Sequence, residues 1–218
     1  MTQQTLSRRR AETRERLIDA AIAVFARDGI DHARLEDISE EAGYTRGAFY
    51  SNFADKDDLI TALLEREIER TTDIARQGIS TALDEPGATD LATLVGRALG
   101  VVARNTPSPD WLVAERSLRL YALRSVGIAR HLVRYESQRS AALTTLLEQA
   151  IEASGRRGTI PMEHVIAIII AVGSEAVLME MAIAELPADE RAHLTDAPRP
   201  GSVELLVSLL SRITEPID

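Results

Sequence analysis

The sequence contains no cysteine. Without a thiol the chain can form no disulfide, no thiolate metal site and no cysteine nucleophile, so these kinds of chemistry are excluded. Nucleotide-binding glycine loops and the GxSxG pattern of serine hydrolases are also missing. The four histidines are scattered, without the spacing of metal ligands: His32, His131, His164 and His193. We therefore expect no catalytic site, no metal and no cofactor, and a protein that is not an enzyme.

Long apolar runs are missing as well. The most apolar stretch, residues 165–172, is followed closely by Ser174 and Glu175. It falls far short of the roughly 20 apolar residues that a membrane span requires. The N-terminus MTQQTLSRRR has no apolar segment behind its basic residues, which argues against a signal peptide. These features predict a soluble protein with no membrane partner, located in the cytoplasm.

Basic residues are outnumbered and unevenly distributed. The chain has 25 lysines and arginines against 34 aspartates and glutamates, and its net charge of −9 argues at first against nucleic acid. Residues 1–16, however, contain five arginines and only two glutamates. This distribution fits two interpretations equally well: a basic N-terminal arm that binds DNA, and a charged tail that is merely solvated.

Apolar residues recur at helical spacing almost throughout, and no stretch alternates as a strand would. The pattern predicts an all-α fold of about nine helices. Gly43 should end the second helix in a left-handed turn, Thr45 should cap the third, and Asp55 should cap the fourth with Asp58 three residues on. The predicted helices are one ending at Asp28-Gly29, then 35–42, 45–52, 56–84, 89–104, 110–124, 127–154, 162–186 and 201–214.

The short helices on either side of Gly43 form the pattern of a helix-turn-helix, whose second helix enters the DNA major groove. We expect a three-helix DNA-binding domain with a basic arm over residues 1–55, and a larger helical domain over 56–218. Phe49 and Phe53, four residues apart, would anchor the recognition helix to helix 1. Arginine can read a guanine edge, glycine permits close approach, and a tyrosine hydroxyl reaches phosphate. The outward residues of that helix are Arg46, Gly47, Tyr50 and Ser51.

Lys56, the chain's single lysine, follows the predicted N-cap Asp55. A cation at this position opposes the positive end of the helix dipole. A phosphate bound over the helix end would explain its presence. The alternative is a solvated lysine that is tolerated at small cost.

Residues 13–59 resemble the DNA-binding domain of the TetR family of bacterial transcriptional regulators. The resemblance implies phosphate contacts by Thr45, Tyr50 and Lys56, a base contact by Arg46, and an all-helical domain behind them that binds a ligand and dimerises. The shared residues are Phe25, Gly29, Ile38, Ala42, Gly43, Thr45, Gly47, Phe49, Tyr50, Phe53, Lys56 and Leu59.

Two positions in this segment depart from the family pattern. The family often has threonine at the position of Ala33, where it caps helix 2 and touches a phosphate, and Arg34 is the candidate to supply that contact instead. Tyr44 stands where the family usually has a smaller aliphatic residue. It either touches the DNA backbone or a thymine methyl group, or packs inside the domain.

The segment PDWLVAERSLRLYALR, residues 109–124, places a mixture of aromatic and charged side chains on one helix face, which suits a pocket wall. Simple core packing is the alternative for its aromatic residues. Since only three of the eight aromatic residues lie beyond residue 53, an aliphatic or mixed ligand is favoured. The predicted ligand-binding residues are Trp111, Glu115, Leu118, Arg119, Tyr121, His131, Tyr135 and Met179.

Broad apolar surfaces on the helices at 162–186 and 201–214 predict a homodimer joined through a four-helix bundle, or else a monomer core. We expect a homodimeric repressor that binds a palindromic operator in double-stranded DNA and is released by a small-molecule effector. Two alternatives stay open. One is a ligand-binding or protein-interaction module with weakened DNA binding, suggested by Ala33 and the acidic bulk; the other is an activator of the same fold.

Overall fold

The computed structural model describes residues 3–84, 90–105, 108–187 and 203–217. Within these ranges the chain forms nine helices and two short strands, which confirms the prediction of an all-α fold. The helices are α1 Gln3–Asp28, α2 Leu35–Glu41, α3 Arg46–Tyr50, α4 Lys56–Asp84, α5 Leu91–Arg104, α6 Pro109–Ala122, α7 Val126–Ala153, α8 Met162–Ala184 and α9 Val203–Arg212. The strands are β1 Arg156–Gly158 and β2 Thr214–Pro216.

The helix ends near the N-terminus follow the predicted local chemistry. Gly29 and Gly43 both have φ of 73°, the left-handed conformation that glycine adopts without steric cost. Thr45 caps α3 by accepting a hydrogen bond from the Ala48 N–H at 3.3 Å. Asp55 accepts one from the Asp58 N–H at 2.8 Å, and so caps α4. These contacts confirm the predicted caps and stop signals.

The chain divides into two compact units, one comprising Met1–Ile68 with Pro107–Glu136 and the other Glu69–Thr106 with Ser137–Asp218. This division reflects which residues pack together. The predicted boundary between residues 55 and 56 instead separates a DNA-binding domain from a larger helical domain, and it stays a prediction.

In the first unit, α6 lies against α1, and both contribute to one apolar core with α2, α3 and the start of α4. Its largest buried side chains include Phe25, Phe49, Phe53, Trp111 and Tyr135. This core fixes the short helices α2 and α3, which could not persist alone, since isolated helices need about 12–15 residues.

The second unit has a separate core of aliphatic side chains from helices α4, α5, α7, α8 and α9. They include Leu94, Leu147, Ile151, Val165 and Leu210. Among the residues that the structure covers, no helix is both long and apolar enough to cross a membrane.

The two strands were not predicted, because three residues are too few to show a periodicity. Strands β1 and β2 pair antiparallel, with Arg157 opposite Glu215. Arg156 holds the pair in place by donating to the Thr214 hydroxyl at 2.8 Å and to the Thr214 carbonyl at 2.6 Å. The pairing joins positions nearly 60 residues apart, so local sequence gives no sign of it.

The basic arm also differs from expectation. Helix α1 begins at Gln3, so the arginines of the predicted arm lie on a helix. Arg8 pairs with Glu12 one turn later at 2.9 Å, which supports the helical conformation. The arm is therefore the first part of α1 and not a separate segment before it.

Candidate nucleic-acid interface

Helix α3 is held to the fold by its two phenylalanines. Phe49 and Phe53 are fully buried, and their ring centroids lie 5.7 Å apart. Since α3 has only five residues, this anchoring and the Thr45 cap fix its position. The predicted recognition helix ran from Thr45 to Asn52; the observed one is shorter, with Thr45 as its N-cap and Ser51 as its C-cap.

The opposite face of α3 is exposed to solvent. Arg46, Gly47, Tyr50 and Ser51 all lie on it, as predicted, and Tyr50 is 48% exposed although it is aromatic. A Cβ atom added at Gly47 would meet nothing nearer than the Thr45 hydroxyl at 3.7 Å, an ordinary contact. Glycine within a helix costs about 0.5–1 kcal/mol relative to alanine. Nothing inside the fold accounts for this glycine.

Arg46 has two partners in the free protein. Its guanidinium pairs with Glu36 of α2 at 2.7 Å and donates to the Tyr50 hydroxyl at 3.2 Å. The Tyr50 hydrogen bond and the Glu36 charge raise the pKa of Arg46, which therefore keeps its positive charge. Glu36 was missed by sequence reasoning, because its contact with Arg46 depends on how α2 and α3 meet.

The start of α2 has no side-chain cap, as expected with alanine at position 33. The N-cap is Arg34, whose side chain makes no capping hydrogen bond, and Ala33 itself is buried. Arg34 instead pairs with Asp37 at 2.9 Å, and this hydrogen bond lowers the pKa of the Asp37 carboxyl. The Arg34 guanidinium is largely exposed, so a role on phosphate stays a prediction.

Lys56 has an internal partner that the sequence did not indicate. Its ammonium donates to the Ile30 carbonyl at 2.6 Å and to the Ala33 carbonyl at 3.1 Å. It also lies 5.9 Å from the centre of the Tyr121 ring. Two of its three N–H donors thus tie the start of α4 to the α1–α2 loop. These bonds account for a lysine at a helix N-terminus without any phosphate.

Tyr44 and Ser51 also make contacts within the domain. Tyr44 is half-buried against the core of its unit, in agreement with the packing interpretation. The Ser51 hydroxyl donates to the Ala48 carbonyl at 2.8 Å. Their predicted DNA contacts, like those of Thr45, Arg46, Gly47, Tyr50 and Lys56, remain predictions.

Two arginines of the basic arm reach the end of α3 from α1, in contacts that were not predicted. Arg10 donates to the Ser51 carbonyl at 3.1 Å, and Arg14 donates to the Asn52 carbonyl at 3.0 Å. The Arg14 guanidinium also lies over the Phe53 ring, 4.3 Å from its centre. The composition of the arm marks these residues as basic, but only the packing of α1 against α3 shows what they touch.

The predicted ligand-binding residues fall mostly within the core of the first unit. Trp111, Leu118 and Tyr135 are buried there, and the Trp111 and Tyr135 rings meet edge to face at 6.0 Å. This packing agrees with the core interpretation. The polar members have internal partners: buried Glu115 pairs with Arg119 at 2.9 Å, and Arg119 also pairs with Glu136.

Of the other three candidates, Tyr121 and His131 belong to the same unit. The half-buried Tyr121 donates to the Asp57 carboxylate at 3.2 Å, and His131 is half-buried on α7. Met179 is 62% exposed and belongs to the second compact unit. A ligand-binding role for the eight residues stays a prediction.

A cavity of about 290 Å³ lies within the second unit, where the end of α7, strand β1 and the C-terminal residues meet. It was not predicted; nine of its ten lining residues lie within residues 148–162, and the tenth is Ile217. Its lining combines charged and apolar side chains: Glu148, Ile151, Glu152, Arg156, Arg157, Gly158, Ile160, Pro161, Met162 and Ile217. The part of the chain that the structure covers contains no cluster of three or more residues suited to hold a metal ion.

Comparison with known proteins identifies the family of the N-terminal region. Residues 17–63 match the sequence model described as "Bacterial regulatory proteins, tetR family". The HTH-type transcriptional regulator SrpR of Pseudomonas putida is 47% identical over 53 residues, which cover 24% of this chain and 25% of that protein. The HTH-type transcriptional repressor Rv1474c of Mycobacterium tuberculosis is 33% identical over 118 residues, covering 51% of this chain and 62% of that protein.

The chain thus spans from a quarter to under two thirds of the length of these two curated relatives. Similarity to a solved structure extends further. The transcriptional regulator FadR from Bacillus subtilis, solved in complex with stearoyl-CoA, matches 90% of this chain and 96% of its own with a TM-score of 0.61 at 17% identity. At that identity the match supports the fold alone.

Proposed function

We propose that this chain, a member of the TetR family of bacterial regulatory proteins, is a homodimeric, sequence-specific DNA-binding transcriptional regulator. It binds through the exposed face of α3 and is a repressor that a small-molecule effector releases from a palindromic operator. The family match covers the helix-turn-helix, and the curated relatives named above are transcriptional regulators.

The observation that carries the proposal is the exposed face of α3. One side of this helix is anchored in the core by two phenylalanines. The other side presents an arginine, a solvent-facing tyrosine and a glycine that the packing of the domain does not require. A rigid helix that presents a base reader, a phosphate donor and a point of close approach is what major-groove recognition requires. The net negative charge of the chain is compatible with DNA binding, because DNA would contact only the surface around α3.

Substitutions of Arg46 and Glu36 test this proposal, because they should change the affinity for DNA in opposite directions. Arg46→Ala should weaken binding to the operator about tenfold or more and leave binding to scrambled DNA little changed, because it removes a base contact. Glu36→Gln should strengthen binding to both duplexes by about two- to fivefold, since it removes a competing partner of Arg46 and one negative charge. Titration of both variants against the two duplexes at fixed salt measures these changes.

Glu40→Gln is the matched control, because Glu40 is another exposed carboxylate on α2. It removes the same charge without freeing Arg46. If Glu36→Gln and Glu40→Gln act alike, the Glu36–Arg46 pair does not govern DNA binding. Equal losses on both duplexes for Arg46→Ala would assign base reading to another residue.

The proposed dimer is supported by a stripe on α8. Ile168, Val172 and Met179 are 60%, 42% and 62% exposed, and their spacing of four and seven residues places them on one helix face. Val165 and Ile166 of the same helix are buried in the core of the unit. Helix α8 thus has an internal apolar face and a second, exposed one. A partner subunit would cover the exposed stripe.

Val172→Glu should therefore turn the dimer into a monomer at micromolar concentration, because it places a charge in the centre of an apolar interface. Sedimentation velocity measures the change. Ala167→Glu is the control, since Ala167 is exposed on α8 but lies about 100° around the helix from Ile168. A Val172→Glu protein that stays dimeric would place the interface elsewhere.

The effector is supported by similarity and by available space. FadR, whose structure contains stearoyl-CoA, shares the fold. The cavity of the second unit, at about 290 Å³, is close to the lower end of the range of about 300–1,000 Å³ typical of small-molecule sites. The repressor assignment draws on the printed name of the mycobacterial relative, and an activator of the same fold is the alternative.

A further inference from the structure

The C-terminal end of α3 is not followed by a glycine in the left-handed conformation. A helix leaves its last carbonyl groups without intrahelical partners, and a glycine in the left-handed conformation commonly satisfies them. Here the C-cap Ser51 has φ of −76°, and no residue that follows it within the domain adopts positive φ before α4. The last carbonyls of α3 have local donors: Gly47 accepts from the Ser51 N–H, Ala48 from the Ser51 hydroxyl and Phe49 from the Asn52 N–H. The carbonyls of Ser51 and Asn52, just past the helix, take side chains of α1 as their donors.

Side chains of α1 supply those donors across nearly 40 residues of sequence. The half-buried Arg14 donates to the Asn52 carbonyl at 3.0 Å while its guanidinium stacks on the Phe53 ring at 4.3 Å. Arg10, one turn earlier, donates to the Ser51 carbonyl at 3.1 Å. Both cations also lie at the negative end of the α3 dipole, where positive charge is favourable.

We infer that Arg14, assisted by Arg10, is a positioning residue that fixes the recognition helix for base readout. The inference rests on the proposed DNA-binding function and departs from both earlier interpretations of the arm, a DNA-binding arm and a solvated charged tail. Arg14 acts on DNA through α3: it holds the segment just after the helix, at the Asn52 carbonyl and the Phe53 anchor, and thereby the orientation of Arg46.

Positioning and phosphate binding make different predictions. A phosphate contact adds to every sequence alike, and its loss lowers the slope of log affinity against log salt by about 0.9 for each contact. A positioning residue leaves that slope unchanged and acts on the difference between operator and other DNA. It also alters the free protein, because α3 becomes less well held without it.

The experiment compares Arg14→Gln with Arg9→Gln, which removes the same charge from an exposed position of α1. The probes are the duplex that wild-type protein selects from a random-sequence library, and a scrambled version of it. For Arg14→Gln we expect about a tenfold loss on the selected duplex, about the effect of one charge-assisted hydrogen bond, and a slope equal to that of wild type. Arg9→Gln should weaken both duplexes by the same factor.

Hydrogen exchange in the absence of DNA provides the second readout. The amides of residues 49–53 should exchange at least about tenfold faster in Arg14→Gln than in wild type, while those of α4 stay unchanged. Equal losses on both duplexes with a lower salt slope would overturn the inference in favour of a phosphate contact. Unchanged exchange at residues 49–53 would overturn it as well. If wild-type protein selects no duplex, the proposed function fails, and the exchange measurement still decides whether Arg14 holds α3.

Discussion

Gly47→Leu is expected to reduce operator binding by at least about 100-fold while the protein stays folded. The added side chain would project from the exposed face of α3 and hold the duplex away from Arg46 and Tyr50. Loss of two or more base or phosphate contacts is enough for an effect of this size. Stability should rise by about 0.5–1 kcal/mol, because leucine favours the helix over glycine and the added Cβ would make only an ordinary contact, 3.7 Å from the Thr45 hydroxyl.

The matched control is Gly127→Leu. Gly127 also lies in a helix, α7, and a Cβ atom there would meet nothing within 4 Å. This substitution should bring a similar gain in stability and leave DNA binding unchanged. Thermal unfolding and DNA titration of both variants separate the two effects. Operator binding by Gly47→Leu at wild-type strength would show that DNA does not approach this face of α3.

Lys56→Met is expected to destabilise the protein by about 2–3 kcal/mol. The substitution keeps the apolar stem but leaves the carbonyls of Ile30 and Ala33 without the charged donor that they have at 2.6 and 3.1 Å. Hydrogen bonds to charged groups contribute about 1.5–3 kcal/mol, and an acceptor left buried without a partner costs a similar amount. Urea unfolding measured at the same temperature for both proteins gives the difference.

Arg130→Met is the control, since Arg130 is an exposed cation in the same compact unit and makes no hydrogen bond or ion pair with any residue described. It should leave stability within about 0.5 kcal/mol of wild type. If Lys56→Met is as stable as wild type and only its salt dependence of DNA binding is altered, phosphate binding would be the whole role of this lysine.

The features predicted correctly from sequence are those that local chemistry determines. Helix α4 begins at the predicted residue, because Asp55 provides its cap. The left-handed Gly43, the Thr45 cap and the burial of Phe49 and Phe53 each depend on a few adjacent residues. The exposed face of α3 follows directly from that anchoring, so its four residues could be named in advance.

The features that were missed depend on contacts between distant residues. The bonds of Lys56 with the α1–α2 loop, and of Arg14 with the end of α3, join positions 23 to 38 residues apart. A charged side chain has several possible partners, and sequence spacing does not select among them once the residues lie on different helices. For this reason the sequence correctly marked Lys56 as unusual but did not indicate its carbonyl partners.

The ligand pocket shows the same limit. Trp111, Glu115 and Tyr135 have the composition of a pocket wall, yet a core with one buried ion pair has that composition too. The cavity observed in the second unit is lined in part by Ile217, which no helix-face pattern connects with α7. Chemical character alone therefore does not separate a ligand site from a core.

The central claim, that the exposed face of α3 reads a DNA sequence as part of a two-fold dimer, is tested most directly by selection of duplexes from a random-sequence library with the wild-type protein. We expect enrichment of an inverted repeat whose half-sites lie about one helical turn, roughly 34–36 Å, apart. The same selection with Arg46→Ala should relax the preference at one position in each half-site. The account would be contradicted if the wild-type protein selects no common sequence. It would also be contradicted if Arg46→Ala selects the same sequence as wild type, with the same preference at every position.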